Sequence, residues 1–236
     1  MIQALRALGG QATFAELYRE VWKIQDCKWG AKDPSASIRA IVQNREEIFR
    51  VRPGLWALRS RQTTLGLSEY GSDAAQSSQE IEEGHSFYQG MLVVLGNLRR
   101  FGTFVPNQDK NRLFRDKKLK ELRSLEIIPH YSHDDLVSRS KTIDVVWFNN
   151  RNMPHSFFEV EHSTDIQNSL LKFCDLQDFH ARFVIVADDS KRASFESRMK
   201  QRAFELIKNR VDFLGYKFLV RDYEHEVLRS GEEFAI

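Results

Sequence analysis

Residues 142–176 run TIDVVWFNNRNMPHSFFEVEHSTDIQNSLLKFCDL. Two apolar segments flank a turn at Asn149 to Pro154, the pattern of a β-hairpin. If Phe148 pairs with His155 across that turn, Asp144 falls opposite Glu159. Along the second strand Phe157, Glu159 and Glu161 point to one side, while Phe158 and Val160 point into the other layer. Three carboxylates then gather at one end of the hairpin, Glu161 lying diagonal to Asp144. A turn register shifted by one moves this alignment without dispersing the cluster.

Like charges on adjacent strands repel and weaken a sheet unless something neutralises them. A hard divalent cation does so. Magnesium or manganese takes oxygen ligands on a rigid frame and keeps water in its remaining positions. Bound water becomes more acidic and a phosphate oxygen can fill an open position, two services that in-line attack on a phosphodiester needs. The plainer reading leaves three half-exposed carboxylates at a strand edge, solvated or paired with Lys141 and Arg139.

Outward from the hairpin, residues 85–101 read as a helix that turns Phe87, Met91, Val94, Leu95 and Leu98 to a core. An extended piece at 103–105 and a basic helix over about 113–123 follow. Strands are expected at 125–131, 143–148 and 156–161, a helix at 165–179 and a strongly apolar strand at 182–187. A helix over 192–208 and a short strand at 217–220 complete the set. The order is α-β-β-β-α-β, an α/β domain with a mixed sheet. Trp147, Phe157, Phe158 and Phe183 are expected in its core.

In these residues the chain resembles the PD-(D/E)XK nuclease superfamily, whose core has the same α-β-β-β-α-β order. Its active site is an acid followed, on the next strand, by an acid-x-Lys pair. Asp144 matches the first acid and Glu159 the second. Glu161 sits where Lys is usual, and Ile143 replaces the motif's Pro; some restriction enzymes of the superfamily also carry Glu-x-Glu. The resemblance covers roughly residues 85–190. It implies a restriction-like, Mg2+-dependent endodeoxyribonuclease in which Asp144, Glu159 and Val160 hold the metal, with Mn2+ able to substitute. Asp144, Glu159 and Glu161 would be catalytic, Glu161 as a further ligand or as general base. A homodimer that cuts both strands, in a restriction or anti-phage defence setting, is also implied. Lys172 is either the cation that the motif's Lys normally supplies or an exposed helical lysine. His162 either reaches the site or caps locally, and Gln89 or Glu83 on the preceding helix would complete a metal shell.

Upstream, Ile2, Leu5 and Leu8 recur at helical spacing, as do Phe14, Leu17, Tyr18 and Val21 after a Gly-Gly stop. A third helix starts after Asp33-Pro34-Ser35, which offers a cap, with Ile38, Ile41 and Val42 as its buried stripe. The period then changes to two over FRVRPGLWAL, residues 49–58, which reads as strand, tight turn and strand. Three helices and a hairpin make a winged helix, in which the third helix enters the major groove and the hairpin lies along the backbone. The FRVRPGLWAL pattern resembles the end of winged-helix domains in restriction and chromatin proteins. Arg39, Gln43, Arg45, Arg50 and Arg52 are the expected contacts to duplex DNA, with Trp56 as the wing's apolar anchor. A winged helix used for protein contacts, with these cations as surface charge, is the alternative.

Residues 61–84, RQTTLGLSEYGSDAAQSSQEIEEG, are rich in Ser, Gln and acid, and read as a linker with a helix starting near Ser78. The expected domains are therefore 1–60, a linker at 61–84, and 85–236. Residues 1–60 hold ten Lys+Arg against six Asp+Glu and residues 61–84 one against five, within a net charge of +2. A basic N-terminal block suits a polyanion partner.

Of the 236 residues, 42% are hydrophobic and 29% charged, the balance of an ordinary globular protein. No apolar run approaches a membrane span, and the N-terminus lacks the ordered regions of a signal peptide, so no membrane partner and a cytoplasmic location are expected. Two cysteines, Cys27 and Cys174, exclude a disulfide framework or thiolate zinc cluster and are read as reduced thiols. No glycine-rich phosphate loop or nucleophile elbow is present, which gives no support to a nucleotide cofactor or serine hydrolase chemistry. Two other classes stay open: a DNA-binding regulator whose nuclease fold has lost cleavage, and an interaction module within a defence complex.

Overall fold

A computed structural model describes residues 1–24, 34–71, 78–162 and 166–232, which fall into two units, Met1–Gln76 and Ser77–Ile236. Cys27 and the proposed cap Asp33 lie outside the described residues. No helix among the described residues is long and apolar enough to cross a membrane.

The first unit runs α1 (Ile2–Ala7), β1 (Gln11–Ala12), α2 (Phe14–Glu20), α3 (Pro34–Asn44), β2 (Ile48–Arg52), β3 (Leu55–Leu58) and α4 (Gln62–Leu65). Thr13 and Glu16 form a capping box that starts α2: the Thr13 amide donates to Glu16 Oε2 at 2.6 Å and the Glu16 amide to Thr13 Oγ1 at 3.2 Å. Pro53-Gly54 turns β2 into β3, with Gly54 at φ 87°. Gln11–Ala12, just past the Gly-Gly pair, adds a third antiparallel strand and gives the order β1-β3-β2. Residues beyond β3 fold back on the same unit, where Tyr70 donates its amide to Arg50 O at 2.7 Å and Arg59 pairs with Glu69 at 2.9 Å.

The second unit runs α5 (Ser78–Leu98), β4 (Gly102–Phe104), β5 (Leu113–Phe114), β6 (Lys117–Lys118), α6 (Leu119–Leu122), α7 (Asp134–Ser140), β7 (Val145–Phe148) and β8 (Pro154–Glu161). It continues with α8 (Gln167–Asp175), β9 (Arg182–Ala187), α9 (Arg192–Met199), β10 (Val211–Gly215) and α10 (Tyr216–Glu232). The main sheet has the order β10-β9-β8-β7-β4; its pairs from β4 to β8 are antiparallel and those from β8 to β10 parallel. The unit is thus α/β with a mixed sheet. Phe157, Phe183 and Ile185 join Leu170 and Phe173 of α8 in one core.

The strand expected at 125–131 does not form. β4 takes its place at the sheet edge, and Leu125 only touches it, donating its amide to Thr103 O at 2.9 Å. Pro129 lacks the ladder donor and Ile127 is exposed, so the run offers no continuous paired face. The basic helix over 113–123 is instead a two-residue hairpin, β5–β6, followed by one helical turn. Residues 217–220 are the start of α10, where Leu219, Val220, Tyr223 and Val227 are buried at helical spacing. The last strand is the segment before it, β10. The helix at 192–208 stops at Met199, and α7, led by Asp134 and Asp135, was not anticipated.

Helix α5 packs closely on its neighbours at two of its glycines, Gly90 and Gly96. Phe114 covers Gly90, and a Cβ at Gly96 would stand 2.6 Å from both Thr103 Cγ2 and Trp147 Nε1. Trp147 Nε1 donates to Leu92 O at 3.1 Å, so the ring cannot easily retreat. Helix propensity alone favours Ala by about 1 kcal/mol. Overpacking costs about 1–3 kcal/mol, and Gly96→Ala is therefore predicted to lower the urea midpoint; an unchanged or raised midpoint would show that α5 is free to shift.

Candidate active site

Strands β7 and β8 pair as Val145↔Phe158, Val146↔Phe157 and Trp147↔Ser156. This register carries on to set Asp144 opposite Glu159, and the Asp144 amide lies 3.4 Å from Glu159 Oε1. At the turn the register slips by one: Phe148 pairs with Pro154, not His155. The slip is a local irregularity of the turn and leaves the acid end of the hairpin in place.

Asp144 and Glu159 are 8% and 3% exposed, so they are not solvated edge residues. The Val160 amide donates to Asp144 Oδ2 at 2.8 Å, and His85 Nε2 of α5 lies 3.1 Å from the same oxygen. Burial is the largest influence on His85 and would lower its pKa. The hydrogen bond and charge of Asp144, helped by the charge of Asp109, outweigh it and raise the imidazole above its ordinary value. Lys172 of α8 holds Glu159 through both oxygens, at 2.9 and 2.8 Å, and also donates to Thr142 O at 3.1 Å. Burial first, and the Asp144 charge second, push the Glu159 carboxyl up to about 8 against the pull of Lys172 and Ser169. Two buried acids face each other with one ammonium between them and solvent.

Ser169 of α8 donates to Glu159 Oε2 at 2.9 Å and also hydrogen-bonds Glu161, which places Glu161 on the same side of β8 as Glu159. His162 lies beside Tyr216, whose hydroxyl donates to Glu161 O at 2.8 Å. Asp144, Glu159, Glu161, His162, Ser169 and Lys172 line a cleft of about 460 Å³ with Glu82, His85, Asp109 and Arg112. Glu83 is not among the lining residues. Gln89 is fully buried and donates to Asp109 Oδ2 at 3.0 Å and Asp144 O at 3.2 Å, tying the two acids' segments together. Its Oε1 and His85 Nδ1 are buried without a hydrogen-bond partner.

His85, Asp109 and Ser169 were missed in the sequence, although Glu82, His85 and Gln89 recur at helical spacing on one face of α5. Val160, with an apolar side chain, can offer a metal only its backbone carbonyl. Among the described residues no three His, Cys, Asp or Glu side chains converge as metal ligands. The oxygen donors that do come together, two carboxylates and that carbonyl, are of the kind that hard cations take.

In the first unit the five expected DNA contacts have different surroundings. Arg39 lies over the Phe14 and Tyr18 rings at 5.9 and 5.8 Å. Gln43 is exposed on α3 and Arg45 is exposed just past its end, 3.8 Å from Glu47. Arg50 is held between Trp56 and Tyr70, at 5.7 and 5.2 Å, and half-buried Arg52 ends β2.

Residues 67–232 match the model of the type II restriction enzyme NmeDI C-terminal domain. The chain belongs to this family. Every cleft residue lies within the matched segment, and nearly all of the first unit lies outside it. The type II restriction enzyme NmeDI of Neisseria meningitidis serogroup C is 30% identical over 125 residues, covering 48% of this chain and 35% of that protein. The chain thus spans about a third of the length of the curated relative it matches. No solved structure matches it significantly.

A folded pKa of about 8 against an ordinary 4.5 means that the folded state binds the Glu159 proton more tightly. That contribution to stability is complete below 4.5 and is lost as pH rises through 8. With chelator present, Glu159→Gln is therefore predicted to melt higher than wild type at pH 8, the difference narrowing towards pH 5. Thermal melts across this range check it; a variant that melts lower at every pH would make the Lys172–Glu159 pair a structural brace.

Proposed function

We propose that this chain is a metal-dependent DNA endonuclease of restriction type, hydrolysing phosphodiester bonds with Mg2+ or Mn2+. One observation carries the reading: Asp144, Glu159, Glu161 and Lys172 meet at one end of the β7–β8 hairpin, in a cleft inside the segment that matches a restriction-enzyme domain. Order of elements and residue pattern support placement in the PD-(D/E)XK superfamily with a Glu-x-Glu variant of its motif.

Asp144, Glu159 and the Val160 carbonyl would hold the metal, which when bound acidifies water and polarises the phosphate. Val160 and His85 fix the Asp144 carboxylate from behind, and Ser169 orients Glu159 and Glu161. Glu161, held beside Glu159, is placed to act as further ligand or to take the proton of attacking water. Lys172 approaches from α8 instead of from β8, so its ammonium supplies the positive charge that position 161 lacks. In this reading it moves between Glu159 and the developing charge on the phosphate.

The first unit is read as a winged helix that delivers the catalytic unit to duplex DNA. Arg39 and Gln43 on α3, with Arg45 just past its end, would face the major groove, and Arg50 and Arg52 the wing's backbone contact. Cleavage of both strands would use a two-fold dimer.

Full-length protein incubated with plasmid and linear DNA should cut with Mg2+ or Mn2+ and not with chelator. Asp144→Asn and Glu159→Gln should abolish cleavage while duplex binding stays within a few-fold. Lys172→Ala should slow the chemical step by about 10²-fold or more, the scale of one electrostatic or proton-transfer group. If wild type cuts no DNA with either metal and these variants bind as it does, the non-catalytic regulator replaces the nuclease.

A further inference from the structure

The acids of the cleft pose an electrostatic problem that the cleft itself does not solve. Asp144, Glu159, Glu161, Asp109 and Glu82 line it against Arg112 and Lys172, so a polyanion approaching the site meets an excess of negative charge. The compensating charge lies next to it in the chain. Residues 110–120, KNRLFRDKKLK, hold Lys110, Arg112, Arg115, Lys117, Lys118 and Lys120 against one acid, Asp116.

This segment is the β5–β6 hairpin. Leu113 pairs with Lys118 and Phe114 with Lys117, and the ladder continues back towards the cleft as the Leu119 amide donates to Arg112 O at 3.0 Å and the Lys120 amide to Lys110 O at 2.9 Å. Arg112 lines the cleft and pairs with Asp109 at 3.0 Å. Strand rise and spacing, about 3.4 and 4.8 Å, put the Lys118 and Lys117 Cα atoms within about 6 to 9 Å of that of Arg112. Those lengths match one or two phosphates of a duplex strand, which advances about 3.4 Å per nucleotide along the axis.

The hairpin is also built to stay where it is. Phe114 is buried over Gly90 and stands 5.6 Å from the Phe87 ring, and Ser86 Oγ donates to Leu113 O at 2.8 Å. Lys117, Lys118 and Lys120 are exposed, with no carboxylate in ion-pair distance among the described residues. Lys117 and Lys118, as neighbours on β6, present ammonium groups on both faces of a hairpin fixed to the helix that bears His85, and Lys120 adds a third on the helical turn that follows.

The geometry points to the β5–β6 hairpin as a second DNA-binding element, one that holds the duplex phosphate backbone beside the catalytic cleft independently of the N-terminal unit. It rests on the nuclease reading for its purpose but not for its measurement. Lysine-to-phosphate contacts release counterions, so log K falls against log[salt] by about 0.9 per phosphate neutralised.

The test titrates full-length protein with a fluorescent duplex in chelator from 50 to 300 mM KCl. Wild type is compared with Lys117→Ala/Lys118→Ala/Lys120→Ala and with the same three positions as Arg. The Ala variant should show a salt slope shallower by about 2 to 3 and a Kd weaker by about 10- to 100-fold at 50 mM. The Arg variant should keep the wild-type slope, and both should melt with wild type because the changed side chains are exposed. An Ala variant with the wild-type slope overturns the assignment, as does an Arg variant that loses slope equally. Binding that responds as described in a protein that cuts nothing removes the nuclease reading alone. Cleavage with an unchanged slope removes the hairpin alone, and no duplex binding by wild type removes both.

Discussion

Two carboxylates opposed across a hairpin, in a place that water scarcely reaches, are the constraint around which the second unit is arranged. A pair like Asp144 and Glu159 weakens the sheet that carries it. Each is therefore supported from outside the sheet. Asp144 is held by the Val160 amide and by His85 of α5, and Glu159 by Ser169 and Lys172 of α8. The helices that cover the two faces of the hairpin thus meet its acid end with hydrogen-bonding groups and the rest of its length with apolar ones. Proteins keep strain of this kind where it serves chemistry. Here burial and the Asp144 charge keep the Glu159 carboxyl raised to about 8, with Lys172 seated on both of its oxygens.

The same arrangement explains how charge is divided along the chain. Acids predominate among the charged groups of the cleft, with Lys172 of α8 and Arg112 among them, while further cations stand beside it on the β5–β6 hairpin. A small apolar device fixes each cation-bearing element: Phe114 over Gly90 for the hairpin, and Leu170 and Phe173 in the core for α8. Under the proposed nuclease reading this polarity has a coherent use, since a phosphodiester would need positive charge for capture and acids that hold a metal for cleavage. Arg39 over two rings and Arg50 between two more make the first unit's cations part of its packing as well as its surface.

The hairpin and its acids were legible because strand alternation is a local rule: once Val145 to Trp147 pair with Ser156 to Phe158, Asp144 must face Glu159. β9 was equally plain, being an unbroken apolar run. The remainder depended on long-range packing. Residues 113–123 carry a helical density of Lys and Leu, yet Phe114 is drawn to Gly90, twenty-four positions earlier, and the backbone follows it into a hairpin. Leu125 to Ile128 looked like a strand, but the edge it would occupy belongs to the shorter β4. Lys172 could be read as either surface or site from its helix alone. Its contact with Glu159 needs the α8–β8 crossing that no local pattern encodes. His85 shares a helical face with Glu82 and Gln89, but that face acquires its meaning only when α5 is laid against the sheet, and Asp109 is one polar residue in a polar run, 107–111.

The central claim is that Asp144 and Glu159 are opposed in order to hold a divalent cation. Crystals of the full-length protein soaked in Mn2+ and measured at the manganese absorption edge test it most directly. An anomalous peak within about 2.0 to 2.6 Å of an Asp144 oxygen, a Glu159 oxygen and the Val160 carbonyl, with Lys172 Nζ withdrawn from Glu159, is the predicted result. Saturating Mn2+ that leaves no peak there, with Lys172 still seated on both Glu159 oxygens, would contradict it.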